Sequence, residues 1–145
     1  MEGGFLPEVL NPFPLIVAAG VVSHQGRFLI TRRLLGASFA GYWEFPGGKV
    51  NPGEGLKAAL QRELQEELGI QVEVDAERMV IEHRYSNRAV RLHCFDCRLV
   101  GGEPRALECA EWRWVRPEEL DQFQFPPANI ALIQSLHKIA PAQSP

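Results

Sequence analysis

The sequence predicts one α/β domain of the α+β kind, in which a mixed β-sheet is sandwiched between α-helices. Extended runs rich in apolar and β-branched residues lie on both sides of one strongly helical segment, and a second helical segment closes the chain. The 145 residues contain no internal repeat and no linker, and this length suits a single domain. Such an order of elements favours a sheet covered by helices.

The chain is expected to consist of an arm, a domain and a tail. Glycines and prolines punctuate residues 1–14, which predicts an irregular N-terminal arm, followed by the domain at 15–140 and a tail at 141–145. The arm has no Lys or Arg and is unlike a signal peptide. No segment approaches the about 18 apolar residues of a membrane helix, so a cytoplasmic protein without membrane contact is expected.

The clearest single element is a helix at 56–68. This segment contains no Gly or Pro, is rich in Ala, Leu, Glu and Gln, and is followed by Gly69, a residue type that commonly ends helices. Four leucines recur at every fourth position and are expected to face the core. These leucines are Leu56, Leu60, Leu64 and Leu68.

The remaining elements follow from apolar runs separated by turn residues. A short extended piece is predicted at 43–45, and Pro46 with the two glycines after it should end that piece. The closing helix carries Ile130, Ile133 and Leu136 at helical spacing. The other predicted elements are strands at 15–23, 27–33, 89–100 and 111–115, extended segments at 70–74 and 79–85, a helical turn at 117–120 and the closing helix at 128–139.

The cysteines indicate a reducing compartment. Cys94, Cys97 and Cys109 make an odd number, so they cannot all pair within one chain. Cys94 and Cys97 form a C-x-x-C, but they lie in a predicted strand, where residues three apart face opposite sides. This geometry favours buried thiols over a zinc site or a redox pair.

The charge balance excludes one class of partner. With 15 Lys and Arg against 18 Asp and Glu, the formal net charge is −3. Binding to long nucleic acid requires a strong positive field, so no such partner is expected. A small anion remains a possible ligand where local cations or a bound metal offset the negative charge.

Three glutamates share one side of the predicted helix at 56–68. Glu63, Glu66 and Glu67 are spaced i, i+3 and i+4 and span an arc of roughly 100° beside the leucines. Like charges at this spacing repel, so two hypotheses compete. One is a solvated acidic face. The other is a site for a hard divalent cation, Mg²⁺ or Mn²⁺, which prefers oxygen ligands.

The flanking loops favour the cation site. Two glycine-rich stretches, at 47–49 and 53–55, let the backbone approach a metal or a phosphate closely. Arg62 can pair with Glu66 one turn along the helix and with Glu54 in the loop. Glycines, carboxylates and an arginine brace are the parts of a metal-assisted phosphoryl-transfer site.

The string from Gly48 to Ile70 matches a known motif at every fixed position. The motif is G-x5-E-x7-R-E-U-x-E-E-x-G-U, with U aliphatic, and on it the chain resembles the Nudix hydrolases. Over about 15–138 the chain resembles their MutT branch, above all at FPPAN (125–129), with ITRR at 30–33, WEFPGGK at 43–49 and GEP at 102–104. The fixed motif positions are Gly48, Glu54, Arg62, Glu63, Leu64, Glu66, Glu67, Gly69 and Ile70.

The resemblance implies a metal site. In the family a glycine carbonyl and motif carboxylates hold a divalent ion, which implies Mg²⁺ here, with Mn²⁺ as a substitute. A further glutamate comes from a loop beyond the sheet, and Glu108 and Glu111 both remain open for that position, with Glu108 the better match. Gly48, Glu54 and Gly69 would be structural. The implied metal ligands are Gly47, Glu63, Glu66, Glu67 and Glu108.

The resemblance also implies an activity. A nucleoside triphosphate, 8-oxo-dGTP first of all, would be hydrolysed to the monophosphate and pyrophosphate, which removes oxidised nucleotides before DNA replication and so serves DNA repair. Catalytic roles would fall to Glu63, Glu108 and Arg62, and either glutamate could be the general base. The alternatives are a Nudix hydrolase of CTP-like nucleotides, ADP-ribose or dinucleoside polyphosphates, and a non-catalytic module that binds oxidised guanine. A monomer is expected, and a dimer remains open.

Asn129 is the candidate for base recognition. Oxidation at C8 of guanine turns N7 into a donor, so one amide can donate to O6 and accept from N7–H. Adenine offers the same pair reversed, so neighbours must fix the amide's orientation. The alternative role of Asn129 is a helix cap. The substrate would also contact Arg33, Phe45 and Arg88, for which a surface charge or a core aromatic is the alternative.

Overall fold

The computed structural model describes residues 13–142, and side chains as far as residue 137. Residues 1–12 of the predicted arm and 143–145 of the predicted tail lie outside the described residues, whereas residues 141 and 142 are helical and continue the last helix.

One mixed sheet of seven strands forms the centre of the molecule, which confirms the predicted fold class. The strands were expected from β-branched and apolar runs, and most begin and end within two residues of the predicted positions. They are β1 (Leu15–His24), β2 (Arg27–Arg32), β3 (Trp43–Glu44), β4 (Gly47–Lys49), β5 (Gln71–Tyr85), β6 (Arg88–Gly101) and β7 (Glu111–Val115).

The pairing of the strands makes the sheet mixed. Its main path runs β3, β2, β1, β6, β5, while β4 pairs with β1 and β7 pairs with β2. β1 and β6 are parallel, with Ala18 opposite His93 in the middle of the pair. The other strand pairs are antiparallel. β1 thus lies between β6 on one side and β2 and β4 on the other.

Within residues 13–142, two α-helices accompany the sheet, α1 (Leu56–Leu68) and α2 (Ile130–Ala142). α1 has the predicted bounds, and it ends at Gly69, whose φ of 70° is the left-handed conformation that glycine adopts without strain. α2 starts two residues later than predicted, because Pro127–Asn129 form a separate 3₁₀ turn. No helix among residues 13–142 has the length and apolar character needed to cross a bilayer.

The two faces of the sheet carry separate cores. On one face Leu60, Leu64 and Leu68 of α1 are fully buried, as predicted, and Leu56 packs at the edge of the same cluster. On the other face Leu132 and Leu136 of α2 are buried in a second cluster. This arrangement confirms a sheet sandwiched between helices.

The cysteines of β6 lie in the two separate cores on the two faces of the sheet. Cys97 belongs to the core beneath α1 and Cys94 to the core beneath α2. They therefore face opposite sides of β6, as their spacing in a strand predicts. All three cysteines are free and buried, and burial raises the pKa of Cys94 and Cys97 to about 12. These thiols are packing groups.

Three details of the predicted elements were wrong. The extended segments at 70–74 and 79–85 are one strand, β5, because bulges after Val74 bend the strand without ending it. Gly47–Lys49, expected to end extended structure, instead forms β4 against β1. In α2, Leu132 takes the buried position, whereas Ile130 is 51% exposed.

Candidate active site

The backbone of β4 lies directly beside the carboxylates of α1. A Cβ atom at Gly47 would collide with the carbonyl oxygen of Ala18 in β1, and one at Gly48 would collide with the carboxylate of Glu63. Only glycine therefore allows the strand to fit between β1 and α1. The Gly47 N–H donates a hydrogen bond to Glu67 Oε1 at 3.3 Å.

Arg62 holds the loop before α1 against the helix. Its guanidinium makes a two-pronged ion pair with Glu54, at 2.8 and 2.9 Å, and donates to the carbonyl of Lys49 at 3.1 Å. The same group reaches Glu63 at 3.0 Å and Glu66 at 3.3 Å. The hydrogen bond from Arg62 lowers the pKa of Glu54 to about 2, so this carboxylate stays charged. The predicted pairing of Arg62 with both Glu54 and Glu66 is present.

A cavity of about 210 Å³ lies where β4, α1 and the loop before β7 meet. Four of its lining residues are glutamates and one is an arginine, so its polar lining is strongly acidic. The lining residues are Arg33, Leu34, Ala37, Glu44, Gly47, Glu63, Glu67, Glu108 and Cys109.

The carboxylates of this cavity oppose each other's ionisation. Glu67 is only 6% exposed, and burial together with the charge of Glu44 raises the pKa of Glu67 to about 8. Burial raises the pKa of Glu63 as well. The pKa of Glu44 is raised by burial although its partner Arg33 acts in the opposite direction. Such a cluster is stabilised either by protons or by a bound cation.

The donor atoms of the cavity fit a hard divalent cation. Carboxylate oxygens and the Gly47 carbonyl are the ligand types that Mg²⁺ and Mn²⁺ prefer. A Cβ at residue 48 would displace the Glu63 carboxylate from its present position. Among residues 13–142 no three side chains already converge as metal ligands. In this arrangement Arg62 pairs with Glu63, and the Gly47 N–H donates to Glu67. The fit therefore rests on which oxygens surround the cavity.

The loop before β7 brings Glu108 to the cavity. The backbone N–H groups of Leu107 and Glu108 both donate to the Glu67 carbonyl at 3.1 Å, and Arg105 N–H donates to the Leu68 carbonyl at 2.9 Å. These bonds satisfy carbonyls at the end of α1 that would otherwise lack partners. Glu111 lies instead in β7, where it pairs with Arg32 and Arg113. Of the two candidate distal glutamates, Glu108 is the one that faces the cavity.

A second, larger cavity of about 530 Å³ adjoins the first. Arg33 and Glu44 line both cavities and are joined by an ion pair of 2.7 Å, so this pair stands at the junction. The second cavity is lined by both apolar and polar side chains. Its remaining lining residues are Leu15, Val17, Ser38, Phe39, Tyr85, Ser86, Asn87, Arg88, Val90, Leu92, Pro126, Ala128 and Asn129.

Asn129 offers an unused acceptor in the second cavity. Its side chain is 7% exposed, and within the described part of the chain no donor reaches its Oδ1. The oxygen makes no capping hydrogen bond at the turn that precedes α2. Buried polar atoms are nearly always paired, so this oxygen is available to accept a hydrogen bond from a molecule in the cavity.

The other predicted substrate contacts divide into two groups. Arg33 and Arg88 both line the second cavity. Phe45 does not, because its ring is 3% exposed and stacks on Phe125 in the core, with ring centroids 5.5 Å apart. Glu66, which was predicted as a metal ligand, also lies outside both cavities. Its side chain is exposed and paired with Arg62. The structure thus brings the two arginines to the site and leaves Phe45 and Glu66 beside it.

Sequence reasoning missed Glu44, Phe39 and Tyr85, all of which line the cavities. Strand alternation could have found Glu44, because Trp43 and Phe45 are buried in one core and the residue between them must face the other side. No local pattern marks Phe39 or Tyr85, which meet only in the folded chain, with ring centroids 5.3 Å apart.

The sheet, its two covering helices and an acidic cavity built on the glycine-rich motif define a class of protein. The chain belongs to the NUDIX domain family, which matches residues 17–135, and it is a Nudix hydrolase.

Particular relatives extend this result. The chain is 42% identical over 122 residues to the 8-oxo-dGTP diphosphatase of Haemophilus influenzae, covering 83% of this chain and 89% of the relative. It is 35% identical over 127 residues to the CTP pyrophosphohydrolase of Escherichia coli, covering 88% and 94%. Among solved structures, the MutT protein of Methanosarcina mazei superposes with a TM-score of 0.78 at 28% identity, covering 89% and 97%.

The raised pKa of Glu67 predicts how the stability of the metal-free protein depends on pH. Because Glu67 titrates near 8 in the fold and near 4.5 when unfolded, the folded state holds an extra proton between these values. That contribution is complete below about pH 4.5 and is lost as the pH rises through 8. At about 1.4 kcal/mol per pKa unit, we expect the free energy of unfolding in EDTA to fall by roughly 2–4 kcal/mol from pH 5 to pH 8.

Glu67→Gln isolates this effect, since the amide carries no charge at any pH. The variant should be more stable than the wild type at pH 8 in EDTA, with little difference at pH 5. Glu66→Gln is the matched control, because Glu66 is an exposed carboxylate on the same helix. Denaturant titrations at several pH values measure these differences. A Glu67→Gln variant that is no more stable at pH 8 would contradict the assignment.

Proposed function

We propose that the chain is a Mg²⁺-dependent nucleoside triphosphate pyrophosphohydrolase that converts 8-oxo-dGTP to 8-oxo-dGMP and pyrophosphate. The observation that carries the proposal is the adjacency of two cavities of different chemistry. One is lined by four glutamates and Gly47, and the other is lined in part by Asn129, whose buried Oδ1 has no partner among the described residues. A triphosphate and its base need these two environments side by side.

The acidic cavity supports the placement of metal and triphosphate. We assign the Gly47 carbonyl, Glu63, Glu67 and Glu108 as ligands, and keep Glu66 as a further candidate because it shares Arg62 with Glu63. Mg²⁺, when bound, neutralises phosphate charge and lowers the pKa of an attacking water. Without it, four carboxylates would repel the phosphates.

Proton transfer falls to a glutamate of the same cavity. Water attacks the β-phosphorus, the bond from that phosphorus to the oxygen bridging it to the α-phosphorus breaks, and the monophosphate and pyrophosphate leave. Glu63 is the first choice for the base that takes the water's proton, because Arg62 positions its carboxylate at 3.0 Å and burial raises its pKa. Glu108 is the second choice.

The larger cavity supports recognition of an oxidised purine. Asn129 Oδ1 can accept from the N7–H that exists only in the oxidised base, while its amide nitrogen donates to O6. Unmodified guanine places a lone pair at N7, so the buried oxygen would face another acceptor. Arg33, at the junction of the cavities, is assigned to the phosphate side of the nucleoside, and Arg88 to the rim.

The net charge of the chain bears on the kind of substrate that the enzyme acts on. A net charge of −3 supports free nucleotides rather than long nucleic acid as substrate. We propose a cytoplasmic monomer whose catalytic domain spans 15–140, serving to remove oxidised nucleotides before DNA replication.

A substrate panel tests the proposed function. Steady-state kcat/KM would be measured with Mg²⁺ for 8-oxo-dGTP, dGTP, dATP, CTP and ADP-ribose, with products identified by phosphorus NMR. We expect 8-oxo-dGTP to exceed each other nucleotide by about 100-fold or more, with pyrophosphate released. Because a relative 35% identical is named for CTP, a preference for CTP would retain the acidic cavity and overturn the base assignment. No hydrolysis of any nucleotide would contradict the activity itself.

A further inference from the structure

A side-chain hydroxyl of the sheet bonds the backbone directly before Asn129. Tyr85 is the last residue of β5, and its Oη accepts a hydrogen bond from the Ala128 N–H at 3.3 Å. Pro127 has no N–H, so Ala128 is the first backbone donor of the 3₁₀ turn that leads into α2. N–H groups at such a start have no partner within the helix, and here Tyr85 supplies the acceptor.

This hydrogen bond is partly buried, and the residues on its backbone side are buried. Ala128 and Asn129 are each 7% exposed. A buried N–H that loses its acceptor is unfavourable, so the backbone would shift to find another partner. Asn129 follows Ala128 directly, and its side chain would move with the backbone. The Tyr85 hydroxyl thus holds one end of this turn, and the Asn129 N–H donates to the Pro126 carbonyl at 3.0 Å.

The Tyr85 ring is itself held in place. It contacts His83 and Phe39, with ring centroids 4.5 and 5.3 Å away. The ring also lines the larger cavity. Removal of the hydroxyl alone would leave these ring contacts intact.

We propose that Tyr85 is a positioning residue for base recognition, whose hydroxyl fixes the backbone at Ala128 and thereby the orientation of the Asn129 amide. The inference rests on the proposed function, in which Asn129 recognises the base. Orientation matters because an amide turned end for end matches the N6–H and N7 of adenine. Tyr85 thus removes an ambiguity that Asn129 alone leaves open.

Tyr85→Phe tests this role by deleting one oxygen. We expect the ratio of kcat/KM for 8-oxo-dGTP over dGTP to fall about 5- to 10-fold, mainly through a higher KM for 8-oxo-dGTP. The affinity for Mn²⁺ should stay unchanged, because Tyr85 lines the larger cavity and not the acidic one. Relative activity on dATP should rise.

Tyr42→Phe is the matched control. Tyr42 Oη accepts a hydrogen bond from Gln124 Nε2 at 3.2 Å, on the same segment a few residues before Asn129, but Tyr42 lines neither cavity. Its loss should leave the ratio unchanged. Amide hydrogen exchange at Ala128 in the substrate-free protein adds a readout independent of any substrate, and exchange should be faster in Tyr85→Phe alone.

The outcomes separate this inference from the proposed function. A wild type without preference for 8-oxo-dGTP contradicts the proposed function, and hydrogen exchange then decides alone whether Tyr85 holds Ala128. A discriminating wild type whose ratio is unchanged in Tyr85→Phe overturns the inference. Equal losses in both variants overturn it too, because they would indicate general loosening of the segment.

Discussion

Glu63→Gln is expected to lower kcat for nucleotide hydrolysis by at least about 10³-fold while the protein remains folded. The amide removes both a metal-ligating oxygen and the proposed proton acceptor. It keeps the shape of the side chain, so the packing of Gly48 against it should be preserved. Steady-state kinetics with Mg²⁺ and a thermal unfolding curve would measure the two effects together.

Glu111→Gln is the matched control for this variant. Glu111 is a glutamate close in sequence to the proposed ligand Glu108, but it lies in β7 and pairs with Arg32 and Arg113 outside the cavity. Its variant should retain near-wild-type kcat. Near-wild-type turnover in Glu63→Gln would exclude Glu63 from catalysis. A large loss in Glu111→Gln would instead reverse the choice between the two distal glutamates.

Asn129→Ala is expected to reduce the preference for 8-oxo-dGTP over dGTP by about 100-fold or more. The variant removes the buried Oδ1 that accepts from N7–H and the amide that donates to O6. Because Asn129 lies in the larger cavity, away from the carboxylates, kcat for dGTP should change little. The measurement is kcat/KM for both nucleotides in wild type and variant.

The control for Asn129 is an asparagine of the same cavity. Asn87 lines the rim and is exposed, so Asn87→Ala should keep the wild-type preference. If Asn129→Ala kept it too, base recognition would have to lie elsewhere in the cavity.

The parts of this molecule that the sequence predicts best are local ones. The bounds of α1 follow from helix-forming residues closed by Gly69, and its buried face follows from leucine spacing within one element. The glycines and glutamates of the motif likewise act within one loop and one helix. Such features can be predicted without knowing which segments pack against them.

The parts that the sequence did not predict depend on contacts between distant segments. Gly47–Lys49 forms a strand only because β1 lies beside it and accepts its backbone, so composition alone suggested a loop. From the sequence alone Phe45 could stack on a base or pack in the core, and only the folded structure shows that Phe125 covers its ring. The sequence favoured Glu108 over Glu111 without excluding either, and it is the loop bonded to the end of α1 that brings Glu108 to the cavity.

Glu44 is a residue of the candidate site that the sequence motif does not mark. Its neighbours Trp43 and Phe45 face one core, while Glu44 faces the acidic cavity and pairs with Arg33 at 2.7 Å. A buried carboxylate is unfavourable unless it is paired or serves a ligand. Its position near Glu67 is seen only in the folded chain, where both carboxylates line the same cavity.

Direct competition between two substrates tests the central claim, the pairing of an acidic phosphate cavity with an oxidised-base cavity. Equimolar 8-oxo-dGTP and dGTP would be mixed with limiting enzyme and Mg²⁺, and the two monophosphates would be quantified early in the reaction. Their ratio equals the ratio of kcat/KM. We predict that 8-oxo-dGMP forms in large excess, with pyrophosphate as the second product. Formation of dGMP and 8-oxo-dGMP at equal rates would contradict the account.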